Sequence, residues 1–339
     1  MKKSLLVLIF IISFSFTFAQ KENLKPNKFL ETQILKGPDF NLESNQAEFE
    51  FKGINFKNPK DNFYFQVKLL PFDLKWENVY SSRKVYYSLP KGSYWAILIV
   101  IAVNYKKEYD PTPAYYLFKV NVSKFYKDIY ISPSYDGLKL TLSNNSNKEI
   151  KITNWQIKTS IISFKIPKAI RDYHPNPLLR KEEDIILKPY EKLVIIATSS
   201  PLGVNFLGNR CFSYLNKIFN LNYSVSFCDR MSNEEILNLA LSEKITRKCA
   251  SMLSNLSCGP ISSYDYKNLQ NDLECLKLAL NFYNYNSCYE RNRNNKDFFE
   301  KEWRVYFDPK PFNKIFQTRF EKIRLEDEDG LLVNEYKFY

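Results

Sequence analysis

The sequence predicts a mainly β chain of two sandwich modules, the second interrupted by a disulfide-stapled α-helical insertion. Three observations lead there. Between Ala47 and Val122 apolar residues recur at strand spacing between turn signals, with no helical pattern among them. A second strand-rich stretch opens at Asp136, breaks off near Asn205 and resumes at Trp303. All six cysteines, Cys211 to Cys288, fall inside that break.

Residues 1–19 read as an export signal. Lys2 and Lys3 make a charged start, Leu5 to Phe16 an apolar stretch, and Thr17-Phe18-Ala19 a small-residue pattern before Gln20. The apolar stretch is shorter than the roughly 20 residues of a spanning helix. The chain is therefore expected in the periplasm, on the cell surface or outside the cell, with no integral membrane segment once the signal is removed. An exported chain with an even number of cysteines implies disulfides. The cysteines lack the Cys-x-x-Cys knuckle of zinc sites and the chain has one histidine, so no metal is expected. The net charge of +12, two lower without Lys2 and Lys3, is spread with no block of five or more like charges.

Residues 20–44 carry little periodicity and read as an extended lead-in to the first module, residues 45–122. Glu48-Phe49-Glu50-Phe51 alternates with period two, and Phe63 to Leu69 does so in part. After a turn at Pro90-Lys91-Gly92-Ser93, Tyr94 to Val103 is an unbroken apolar run, which implies a central strand covered on both faces. Asp110-Pro111-Thr112-Pro113 then leads to a last strand, Ala114 to Val120. On its SLPKGSY turn and DPTPA lead-in this stretch resembles an immunoglobulin-like sandwich of the fibronectin type III kind.

Residues 123–135 read as a linker, and residues 136–204 and 303–339 as one split module. Leu138, Leu140 and Leu142 alternate with Lys139, Thr141 and Ser143, and the phase shifts before Trp155 and Ile157 as at a bulge. The segments SNNSNKEIKITNWQI, SFKIPK, ILKPYEKLVIIA and LEDEDGLLVNEYKFY resemble the lamin tail domain, an immunoglobulin-like sandwich also carried by bacterial secreted proteins. The resemblance implies a binding or structural module rather than an enzyme.

The insertion, residues 205–302, changes character. Ser232-x-x-Glu235 makes a capping box before a helix to about Leu256, and Asp272 caps a second helix to about Asn284. Leu237, Leu241 and Ile245 should face Leu273, Leu276 and Leu280. A hairpin of two helices nests Cys249–Cys288 around Cys258–Cys275 and leaves Cys211–Cys228 to close its own loop, one of 15 possible pairings.

The chemistry of catalysis is sparse. His174 stands in a proline-rich loop, no glycine-rich phosphate loop occurs, and bridged cysteines are not nucleophiles. Glu326-Asp327-Glu328-Asp329-Gly330 fits a hairpin turn better than a calcium loop, because Lys337 occupies the twelfth position. Tyr86-Tyr87, Tyr94-Trp95, Tyr115-Tyr116 and Tyr283-Tyr285 offer rings for stacking on sugars or bases, with about half of the strand aromatics expected in the core. Tyr283, Tyr285, Arg291 and Arg293 form the candidate binding patch. The reading is a non-catalytic, cofactor-free secreted or cell-surface adhesion protein that meets an extracellular protein or a polyanionic ligand through its insertion. The alternatives are a binder of extracellular nucleic acid or anionic polysaccharide, and a secreted hydrolase with an unfamiliar site.

Overall fold

In a computed structural model that describes residues 24–221, 229–308 and 322–338, the apolar run Tyr94 to Val103 becomes the strand on which the first unit, Met1–Tyr126, is built. In chain order the strands of this unit are β1 (Lys25–Pro26), β2 (Leu30–Lys36), β3 (Asn41–Leu42), β4 (Ala47–Asn55) and β5 (Phe63–Leu70). They continue with β6 (Glu77–Val79), β7 (Arg83–Tyr86), β8 (Ser93–Asn104), β9 (Glu108–Tyr109) and β10 (Ala114–Asn121). β8 is the centre of a seven-stranded sheet, paired antiparallel with β5 along one edge and with β10 along the other. β2, β4 and β7 make a second sheet.

The alternation written into β4 joins these two sheets. Phe49 and Phe51 are fully buried, and their rings lie 5.6 Å from Phe118 and 4.8 Å from Phe65 of the facing sheet. Burying each such ring stabilises the unit by roughly 1.5–3 kcal/mol. The inner face of β8 is Ala96, Leu98, Val100 and Ala102, so its other residues point away from this core. Polar clamps add to the packing. The backbone N–H of Thr32 donates to buried Asp110 at 2.7 Å, and that of Ala102 donates to the Thr32 hydroxyl at 2.9 Å.

The lead-in expected at 20–44 is not a lead-in, because it holds β1, β2 and β3, and β2 pairs antiparallel with β4 from Leu30 to Lys36. Thr32 conceals the pattern. It is a polar residue in a buried position, satisfied by Asp110.

The second unit, Lys127–Tyr339, opens with β11 (Ile129–Pro133), β12 (Lys139–Asn144), β13 (Ile150–Lys151), β14 (Gln156–Lys158) and β15 (Ser163–Lys165). Next come β16 (Ala169–Ile170), β17 (Glu182–Glu183), β18 (Ile186–Leu187), β19 (Lys192–Ile196) and β20 (Phe206–Asn209). After the helices come β21 (Phe299–Tyr306), β22 (Lys322–Glu326) and β23 (Leu332–Lys337). One sheet runs β11-β12-β19-β21-β20-β16-β17, a second β15-β14-β22-β23, and β13 pairs with β18 alone.

Strands from before and after the helices share one sheet. β21 returns from the insertion to lie parallel with β19, setting Leu193 beside Trp303 and Ile195 beside Val305. Two boundaries shift. The linker expected at 123–135 contains β11, whose Ile129 and Ile131 are buried and which pairs with β12 over five positions. The insertion expected at 205–302 is narrower, since β20 and the start of β21 at its two ends belong to the sheet.

The insertion is a cluster of short helices: α1 (Phe212–Phe219), α2 (Asn233–Leu241), α3 (Arg247–Ser254), α4 (Ser263–Leu269), α5 (Leu273–Phe282) and α6 (Tyr285–Asn292). The capping box of Ser232 with Glu235 opens α2, and the Asp272 carboxylate caps α5, as the sequence indicates. The single helix expected from Ser232 to Leu256 breaks in two. Glu243 takes a left-handed backbone conformation (φ 58°), and the Thr246 hydroxyl then caps a new helix.

The cysteines pair differently from the hairpin expectation. Cys211 bridges Cys288, and Cys249 bridges Cys275, so the pairs Cys211–Cys228, Cys249–Cys288 and Cys258–Cys275 are not formed. Cys258 is also disulfide-bonded, and Cys228 and the export signal lie outside the described residues. Among the described residues, six short helices fold back on one another where two long ones were expected. This brings α6 beside α1 at the root of the insertion and α3 beside α5 further out.

Candidate binding surfaces

The patch drawn from the sequence does not form. Tyr283 and Tyr285 are only 3% and 8% exposed. The Tyr285 hydroxyl donates to the Tyr173 carbonyl at 2.5 Å and accepts from Asn209 Nδ2 at 2.9 Å, and burial raises its pKa above the usual phenol value. Arg291 pairs with Asp229, its guanidinium lying 3.6 Å over the Phe282 ring, and Arg293 pairs with Glu290 at 3.4 Å. Two tyrosines fasten the insertion's core and the two arginines are occupied locally. No ligand surface joins the four.

The other singled-out groups have local roles too. His174 Nδ1 accepts from the Asn176 backbone N–H at 2.9 Å, and its ring stands edge-on to Tyr289. Asp327 accepts from the backbone N–H groups of Asp329 and Leu331, with Gly330 at φ 76°, which makes the 326–330 cluster the turn between β22 and β23. Cys249, Asp272 and Cys275 bring ligand atoms within 4.8 Å of one another. Both sulfurs are committed to their mutual bridge, and the carboxylate accepts from the Cys275 backbone and the Thr246 hydroxyl.

Two surfaces remain open. The first is on the insertion. Leu237 and Leu241 of α2 and Leu273 and Leu280 of α5 were expected to face one another, yet all four are 47% to 73% exposed. Ile236, Leu253, Cys275, Leu276 and Ala279 take the inward positions. Beside the α2 leucines runs an open groove of about 960 Å³, lined by Leu241, Ile245 and Ala250 and rimmed by Arg247, Asp272 and Glu274.

The second is the outer face of the seven-stranded sheet in the first unit. Register sets Trp95 beside Lys119, Ile97 between Leu70 and Leu117, and Ile99 between Lys68 and Tyr115. Each adjacent aromatic pair splits as strand geometry requires. Tyr86 and Tyr116 turn inward, within 6.2 Å and 5.7 Å of the Phe49 ring, while Tyr115 and Trp95 turn outward and are 45% and 48% exposed. Phe40 stands edge-on to Trp95 with ring centroids 5.2 Å apart. Further along, Tyr64 stacks on Tyr80. The expectation of a strand covered on both faces holds for Leu98 to Val103, which are buried, and fails at Trp95.

Phe40, Leu117 and Tyr80 were not singled out by sequence. The signal for them was the unbroken run itself, since a strand apolar at every position lends an apolar character to both faces of its sheet. No family model matches the chain, and the search of curated proteins finds no match either.

Proposed function

We propose that the chain is an exported, non-catalytic binding protein in which a β-scaffold presents the stapled helical insertion to a protein partner outside the cytosol. The observation that carries this reading is the exposed pair Leu237 and Leu241 of α2, which line an open groove whose α3 and α5 sides are joined by the Cys249–Cys275 bridge. Exposed apolar side chains gathered on one element mark contact sites more often than scattered ones do. A bridge that fixes the helices before contact lowers the ordering cost of binding. The bridged cysteines themselves suit an oxidising compartment. The first unit is read as fibronectin type III-like, supported by its two facing sheets, and the second as lamin-tail-like, supported by its split module.

Site-specific photo-crosslinking in living cells tests this. A crosslinking side chain at Leu241 should give a discrete heavier adduct in the envelope or medium fraction. The same group at Leu178, which is 91% exposed on another segment, should give none. A chain retained in the cytosol, or a Leu241 derivative with no adduct, overturns the proposal.

A further inference from the structure

A third surface is smaller and of another kind. β16 and β17 pair through Ala169 with Glu183 and Ile170 with Glu182, and the loop between them carries Leu178 and Leu179, 91% and 62% exposed. An exposed leucine alone means little, since folded surfaces carry many. The backbone beneath this pair sets it apart. Pro175 and Pro177 have no N–H, and every other N–H from His174 to Arg180 is bonded within the loop. Those of His174, Leu179 and Arg180 donate to the carbonyls of Asp172, Asn176 and Pro177 at 2.8, 3.1 and 3.1 Å. Those of Asn176 and Leu178 donate to His174 Nδ1 and Asn176 Oδ1 at 2.9 and 3.0 Å. The remaining carbonyls from Asp172 to Pro177 are occupied as well. Tyr173 accepts from the Tyr285 hydroxyl, and His174 and Pro175 accept from the Arg180 guanidinium at 2.8 and 3.4 Å.

Water satisfies a free amide at any surface, so a loop that stays in water gains little from this completeness. Hydrocarbon offers no such partner, and backbone groups that approach it must be paired beforehand. Size points the same way. Two side chains at the end of a turn are far less than one side of a usual protein interface, whereas lipid tails close around a side chain of any outline. Arg180 and Lys181 follow the leucines, and no carboxylate stands between His174 and Lys181. Long cationic side chains beside an apolar tip are at home at headgroup level. Glu182 and Glu183 of β17 lie behind them and limit entry to the tip.

We infer that residues 174–181 form a lipid-contact loop, which sets Leu178 and Leu179 into the acyl boundary of a bilayer surface and leaves Arg180 and Lys181 among the headgroups. Attachment of this size is weak and reversible, of the order of a single acyl chain. The inference is independent of the partner proposed for the insertion.

Vesicle co-sedimentation of the chain lacking residues 1–19 tests it, the truncation removing the apolar stretch Leu5 to Phe16 from the readout. The vesicles are phosphatidylcholine with phosphatidylethanolamine, at roughly millimolar lipid so that weak attachment registers, and at about 150 mM salt to screen exposed charges. The chain should partition onto them, and L178S/L179S should lower the partition coefficient roughly tenfold or more. L237S/L241S, which removes exposed leucines from α2, should leave it unchanged. A photo-crosslinking group at Leu178 should gain the mass of a lipid, far lighter than the protein adduct sought at Leu241, so the contrast between those positions stands. Thermal unfolding reports whether each variant is folded, and if L178S/L179S does not fold, the lipid adduct decides. No partition onto vesicles, unchanged partition of a folded L178S/L179S, an equal loss in L237S/L241S, or no lipid adduct at Leu178 each overturns the inference.

Discussion

Tyr285 shows how much a single phenol can hold. It opens α6, reaches Asn209 at the end of β20, and donates to Tyr173 beyond β16. Its neighbour in sequence, Tyr283, ends α5 and is buried as well. In sequence both rings stand near Arg291 and Arg293, which is why a basic, aromatic patch was read there. The bend at Asn284, which caps α6, turns both rings inward. No periodicity announces such a bend. The strand aromatics were legible for the opposite reason, because alternation sends one member of each pair to each face. Burial also ties these phenols to pH. It raises the pKa of Tyr94 to about 12 and holds Tyr86, Tyr214 and Tyr285 above their ordinary value of 10.0. The native state therefore keeps protons that the unfolded chain releases. The stability from neutral phenols is complete below pH 10.0 and falls as the pH rises beyond it. Urea midpoints should drop steadily above about pH 10, and a flat profile through this range would contradict the burial of these rings.

Among the elements, the insertion is where sequence reasoning reached furthest and also went astray. The caps at Ser232 and Asp272 were readable because capping is local chemistry within four residues. The pairing of cysteines was not, because it depends on how many helices lie between them. One clue was available: β20 and β21 are neighbours, so the two ends of the insertion must be close, and Cys211 and Cys288 lie near those ends. That bridge closes a span of 77 residues, against 26 for Cys249–Cys275. Chain entropy assigns it the larger effect, about 4–5 kcal/mol against about 3–4. Cys211→Ala with Cys288→Ala should therefore lower the unfolding free energy more than Cys249→Ala with Cys275→Ala. Denaturant titration of both double variants checks the order, and a reversed order would show that the unfolded state is not governed by loop length.

At the scale of the molecule, the mainly β character and the split second module were visible because strand periodicity persists on both sides of the break. The edges were less visible. β2 and β11 carry polar residues and look like connecting chain until their partners are known. The unevenness of the cysteines gives the two units different chemistry. All six lie in Lys127–Tyr339 and none in Met1–Tyr126. Calorimetry should resolve two transitions, of which a reductant lowers only one. A shift of both would mean that the units do not unfold independently.

The adjacency of β20 and β21 has a consequence for how such a chain diversifies. Its long helical excursion starts and finishes about one strand spacing apart, near 4.8 Å. The pairing of β20 with β21 fixes the separation of the two ends and not how many residues lie between them. What is not interchangeable is the rooted end, where Phe212 and Tyr285 share a core with Ile170, Tyr173 and Phe206 of the host. The excursion behaves as a cassette with a fixed plug and a free head. Lineages can rewrite the head, residue by residue or whole, provided the plug still fits its socket.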